Sequence, residues 1–281
     1  GDYDFIITIA GSDCENVALN IPSVRLGNGD IADAYAIGKN NETFPLQVST
    51  ILGVGFTPAM VNVAHYAPFG DSQDGTSVSV YVDGAEAIPN FKFGNVYNDV
   101  ELSAGEHLVE IKPTGTDTVA ISATVKLDPA GIYSVIATGD GDNQPLALKV
   151  LDDWTAAPAD GSGKLRVGHL APFAADLAAT QVDICLADGT PIAPLQGVPF
   201  DVVSDFLELP AGDYDFIITI AGSDCENVAL NIPSVRLGNG DIADAYAIGK
   251  NNETFPLQVS TILGISFTPE LFKAFFPQIA R

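Results

Sequence analysis

Basic side chains are scarce in this sequence. Twelve Lys plus Arg stand against 36 Asp plus Glu, which sets the net charge at −24 and the isoelectric point near 4.1. Such a field repels nucleic acid and anionic membrane surfaces, so neither is an expected partner, and it favours solubility and association with cations. Long apolar runs are missing as well: no window reaches the roughly 18 residues of a membrane-spanning helix. No secretion signal is visible, and the chain opens on Gly1 rather than Met, as a processed or trimmed product would. Histidine and cysteine, three of each, stand at no metal-ligand spacing. A Gly-Lys-Ser/Thr phosphate loop, a Gly-x-Ser-x-Gly elbow and a helix with paired carboxylates are all absent, so no catalytic role is expected.

What the sequence has in quantity is β-branched and aromatic residues in alternation, punctuated by Gly, Pro and Asn. Tyr3, Phe5, Ile7 and Ile9 form one apolar face at period two. Residues 17–21 follow a turn at 11–13, and residues 26–30 make a second turn. Residues 34–37 and 46–51 read as two more strands joined at 40–42. Seven short strands are predicted in the next stretch, at 61–65, 78–82, 100–102, 108–112, 119–127, 133–138 and 146–151. That spacing predicts an all-β chain of antiparallel sandwiches rather than alternating helix and strand. Residues 155–163 are a linker by composition.

Residues 1–53 return letter for letter as 212–264, and the likeness runs on through Val54/Ile265 and Gly55/Ser266 into a shared Phe-Thr-Pro. Beyond the linker, Leu165 to Phe173 matches Val61 to Phe69, and Leu207 to Gly212 matches Val100 to Gly105. Residues 181–189 match 77–84 with one residue inserted. The expected organisation is a half-domain at 1–54 that repeats 212–265, two diverged β-sandwich domains at 59–154 and 164–265, and a tail at 266–281. Thr268, Pro269 and Pro277 frame a short helix in that tail.

Four blocks recur in order: His65-Tyr66-Ala67-Pro68, Val78 to Gly84, Val100 to Gly105 and Tyr133 to Gly139. Their second set is His169 to Pro172, Val182 to Gly189, Leu207 to Gly212 and Ala245 to Gly249. Both sets resemble the domain of unknown function 4397, a family of secreted prokaryotic β-sandwich modules. The resemblance implies an immunoglobulin-like fold, tandem copies and an envelope or extracellular address, and it implies no activity. Ala67 and Ala171 depart from the Ser common in the family, as does the insertion before Asp188.

Cys185 lies on a strand flank and Cys225 in a loop, and a disulfide between them fits an oxidising compartment. Cys14 copies Cys225 and is expected to be unpaired or bonded to another chain. His65 and His169 hold equivalent positions and are expected to pack. Residues 140–143 and 71–75 offer oxygen ligands to calcium without completing an EF-hand loop, and solvated acidic turns are the plainer reading. No other cofactor is expected. Asn41 and Asn252 head glycosylation sequons.

A half-sandwich leaves Phe5, Ile7, Ile9, Leu19 and its strand edges open. A longer parent chain, strands from another subunit, or the apolar tail residues Leu271, Phe272, Phe275 and Phe276 are the three available covers. The expectation is a secreted or cell-surface structural protein. Copies of it would join head to tail into a homopolymeric filament, because a heterologous interface that does not close makes fibres. The alternative is an adhesin or carbohydrate-binding module on a repeat stalk, with a glycan partner. It would need an exposed aromatic platform, and Trp154 beside the linker offers little.

Overall fold

The computed structural model describes residues 2–8, 15–25, 32–39, 47–52, 58–153 and 155–263. Ile9, Cys14, Asn41, Trp154 and the tail at 266–281, with Leu271, Phe272, Phe275 and Phe276, lie outside the described residues. Twenty strands and three 3-10 turns are found among those described, so the described part of the protein is all-β. It divides into two compact units, one of residues 1–60 with 101–106 and 126–131, the other of 61–100, 107–125 and 132–281.

Two hairpins come first. β1 (Asp2–Thr8) pairs with β2 (Val17–Arg25), and β3 (Ala32–Ile37) pairs with β4 (Gln47–Leu52), each as a two-stranded antiparallel sheet. Eight strands follow: β5 (Ala59–His65), β6 (Val78–Val82), β7 (Ala85–Phe91), β8 (Val96–Leu102), β9 (Gly105–Pro113), β10 (Ile121–Leu127), β11 (Ile132–Thr138) and β12 (Ala147–Asp152). They form two sheets, β10-β9-β6-β7 and β12-β11-β5-β8, here termed the first sandwich. The seven predicted strands are exceeded by β7, whose Pro89 masked it in the sequence. Proline is tolerated there because β7 is an edge strand with two register shifts against β6. The β6–β7 turn is a two-residue one, Asp83-Gly84, with both residues at positive φ, as a primed hairpin turn requires.

The remaining strands are β13 (Ser162–His169), β14 (Val182–Leu186), β15 (Val202–Val203), β16 (Leu207–Pro210), β17 (Gly212–Ile220), β18 (Val228–Leu237), β19 (Ile242–Ile248) and β20 (Gln258–Leu263). Here the sheets are β14-β17-β18 and β15-β13-β19-β20, with β16 also on β13. This second sandwich repeats the order of the first: β14-β17-β18 answers β6-β9-β10, and β13-β19-β20 answers β5-β11-β12. Between its sheets pack Val182, Ile184, Ile218 and Ala247, and beside them Leu165, Phe216, Leu237 and Ala243.

Period-two alternation in β19 sends Ala243, Ala245 and Ala247 into that core, which leaves Asp244, Tyr246 and Ile248 on the outer face. An isolated sandwich would leave this outer face in water. Here all three residues are buried. They meet the β12-β11-β5-β8 sheet of the first sandwich, so the two sandwiches pack back to back and both faces of each inner sheet are covered.

Candidate functional site

The seam between the inner sheets is apolar at one end and ionic at the other. Tyr66, Phe93 and Ile136 of the first sandwich form one cluster with Leu170, Tyr246, Ile248, Phe255 and Ile262 of the second. Tyr66 and Tyr246 tilt against each other at 5.8 Å, and Phe93 meets Phe255 edge-on at 5.2 Å. The Tyr66 hydroxyl donates to Ser260 Oγ (2.8 Å), and burial pushes its pKa up to about 12. Beside this cluster the Arg166 guanidinium donates to both oxygens of Asp244 (2.8 and 2.6 Å) and to Asp153 across the seam. Asp153 also accepts from Ser134 Oγ at 2.6 Å, and Tyr246 donates to Asp244 at 2.9 Å. Two carboxylates thus share one buried guanidinium. Burial pushes the Asp244 carboxyl above its usual range against the pull of Arg166.

Gly168 stands beside Tyr246 in the parallel β13–β19 pair, and a Cβ there would lie 2.6 Å from the Tyr246 ring, so the seam needs glycine at this place. The 140–143 turn, read from the sequence as an oxygen-rich loop, receives the ammonium of Lys250 at 2.9 Å from Asp140 and 3.1 Å from Asp142. Burial opposes ionisation of Asp140. The backbone N–H groups of Gln144 and Asn143, together with Lys250, nonetheless hold its carboxyl below the usual range.

His65 and His169 are buried in matching sockets. Each Nε2 donates to a carbonyl eleven residues on, Thr76 at 2.9 Å and Thr180 at 2.8 Å. Each Nδ1 accepts from the backbone N–H of the following Ala, Ala67 or Ala171. The His-x-Ala-Pro block is therefore a self-satisfied corner in which neutral imidazole closes a turn. Desolvation lowers both pKa values to about 4.

Cys185 and Cys225 are joined, buried, and packed on Ile217. Asn252 sits in the β19–β20 turn, where its Oδ1 accepts from the Phe255 N–H at 2.7 Å. A cavity of about 170 Å³ lies between the sheets of the second sandwich. Its lining, which includes Val167, Leu207, Phe216 and Ile232, is apolar apart from the Tyr214 hydroxyl, which donates to the Pro210 carbonyl.

The hairpins of residues 2–52 have the registers of their copies. Phe5 faces Ile21 and Ile7 faces Leu19, as Phe216 faces Ile232 and Ile218 faces Leu230, with register shifts at the same two places. Tyr35 faces Ser49 as Tyr246 faces Ser260. What differs is the surroundings. β17 lies beside β14 and β19 beside β13, whereas β1 and β3 have one partner each among the described residues. Ile37 is 43% exposed and Ile248 1%; Ile6 is 49% exposed and Ile217 6%. Among the β1 side chains described (residues 6–8), the one that stands open is Ile6, on the even face. Ile7 and Leu19, expected to be open, are half-buried. Sequence reading missed Ile6 because Ile217 is covered by a disulfide loop, which strand alternation does not reveal. It missed the seam as well. The available signal was a strand, β19, with small or apolar residues on both faces and one Asp among them.

Residues 59–180 match the family model of a domain of unknown function, DUF4397. The DUF4397 match spans the first sandwich and runs into the second through β13, within the stretch where the family resemblance was expected. No curated protein matches the chain. Among solved structures, an adhesin candidate from Bacteroides ovatus is similar at 13% identity and a TM-score of 0.21, over 74% of this chain and 93% of that one. The Bacillus anthracis TIE protein is similar at 12% identity and a TM-score of 0.18, over 83% of this chain and 51% of that one.

Proposed function

We propose that this is a non-enzymatic extracellular structural protein, a building block of a surface fibre. In this reading tandem immunoglobulin-like sandwiches follow one another head to tail, and the open hairpins of residues 2–52 are completed by strands of the 164–210 type from the neighbouring unit. The observation that carries it is the contrast between identical hairpins: the same residues in the same register are covered in one copy and open in the other. Exposed strand edges and apolar side chains of this kind favour strand addition. The Cys185–Cys225 bridge agrees with an oxidising exterior, and the buried ionic seam would make each pair of sandwiches a stiff segment. The test is electron microscopy and intact mass measurement on natural material. Fibres or extended chains with a regular axial repeat are expected; compact single particles at every concentration would overturn the reading.

A further inference from the structure

We propose that the hairpin pair β1–β2 with β3–β4 and the pair β17–β18 with β19–β20 are interchangeable occupants of one surface. That surface is the strand edges of β13 and β14 together with the outer face of the β12-β11-β5-β8 sheet. The hairpins of one molecule then replace the C-terminal half of the second sandwich in another. This rests on the structural reading above and names the partner as a second copy of this chain.

The surface can be specified residue by residue. Where it is occupied, Ile217 stands opposite Cys185, Asp244 beside Arg166 and Tyr246 beside Gly168. Ile248 closes on Tyr66 and Ile136, and Ser260 accepts from Tyr66. Each of these occupants has an identical residue in the first copy: Ile6, Asp33, Tyr35, Ile37 and Ser49. Because both hairpins already have the required register, the exchange needs no change of strand register and would trade one set of contacts for a set between identical residues. Exposure maps the same surface independently. Ile6 and Ile37 are open where Ile217 and Ile248 are buried, whereas Val17 (51%) and Val228 (46%), which lie off that surface, are equally exposed in both copies. In its own chain the occupying half is tied in by the one-residue link at Ala211 and by the Cys185–Cys225 bridge, so replacement by a second molecule follows mass action once that bridge is opened.

Cys14, the sequence counterpart of Cys225, supplies a covalent trap. In a Cys225→Ser variant of the full chain, Cys185 has lost its bridge partner, and interchange would bring Cys14 to it. Oxidised glutathione then takes the two electrons: the Cys14 and Cys185 thiols lose their protons and form the new bond while one glutathione disulfide becomes two glutathione thiols. Peptide mapping is expected to find Cys14–Cys185 as the major bridge, in disulfide-linked multimers at high protein concentration, and an added Cys14→Ser change should remove it. Free or glutathione-capped Cys14 and Cys185 in a variant that keeps its β-sheet circular dichroism would overturn the proposal.

A second test opens the native bridge by reduction, without substitution at either cysteine. Light scattering on the wild-type chain in dithiothreitol should show association that grows with concentration, and Ile37→Asp should abolish it while leaving the melting temperature unchanged. Association untouched by Ile37→Asp would sink the interchange. Fibres that persist in Ile37→Asp would leave the structural reading standing without it. A Cys14–Cys185 bridge confined to dimers would uphold the interchange and remove the fibre.

Discussion

Ile37 and Ile248 occupy the same register position in identical hairpins, and only Ile248 is covered. Truncating Ile248 to Ala should cost about 2–5 kcal/mol through lost transfer energy and the cavity left behind. Ile37→Ala should stay within about 0.5 kcal/mol, as an exposed substitution does. Urea melts of the two variants side by side measure this, and equal losses would count against the assignment of the seam. The buried histidines set a pH dependence at the same scale. Their pKa falls from 6.5 in the unfolded chain to about 4 in the fold, so between those values the unfolded state binds more protons. Stability is then complete above about pH 6.5 and falls as the pH drops towards 4, by about 2–3 kcal/mol per histidine near pH 4.5. The slope of unfolding free energy against pH between 5 and 6.5 should approach two protons and flatten in a His65→Gln/His169→Gln variant. An unchanged slope there would refute the sign and origin of the effect.

Among the elements, the Cys185–Cys225 bridge ties β14 to the loop after β17 across a sequence separation of 40. Closing a loop of that length lowers the entropy of the unfolded chain, so replacing both cysteines by Ala should cost roughly 4 kcal/mol. Guanidinium midpoints of oxidised wild type and the double variant give the comparison, and a loss below about 1 kcal/mol would mean that burial around Ile217 already holds the loop. The β11–β12 turn shows how tightly local geometry is specified. Gly139 has φ +81°, and a Cβ there would overlap the Pro145 carbonyl; Gly249 and Pro256 repeat the arrangement in the β19–β20 turn. These two glycines end the Tyr133–Gly139 and Ala245–Gly249 blocks, which gives that part of the family resemblance a steric cause.

The seam joins the two sandwiches through buried apolar and ionic contacts. Calorimetry on the chain should show a single main transition for the paired sandwiches, because neither inner sheet can expose its outer face without uncovering Tyr66, Ile136, Tyr246 and Ile248. Arg166→Ala would leave Asp153 and Asp244 buried without their counter-ion, at a cost of about 3–5 kcal/mol, and should split that transition into two. A variant that is merely less stable, with one transition, would assign Arg166 to the second sandwich alone.

The sequence by itself determined the properties that depend on near neighbours. Alternation in stretches such as Tyr214 to Ile220 made the chain all-β, and the exact recurrence of residues 1–53 meant that both copies would form the same hairpins in the same register. The ordered His-x-Ala-Pro and Asp-Gly blocks placed turns, because each is closed by groups within about a dozen residues. Only the tertiary structure decided which faces are covered. Arg166 and Asp244 are separated by 78 residues and Tyr66 and Ser260 by 194, so no local period announces their meeting. Identical hairpins differ in exposure for the same reason: a strand's own residues fix its pleat and register, whereas the sheet that lies against it is supplied by distant chain.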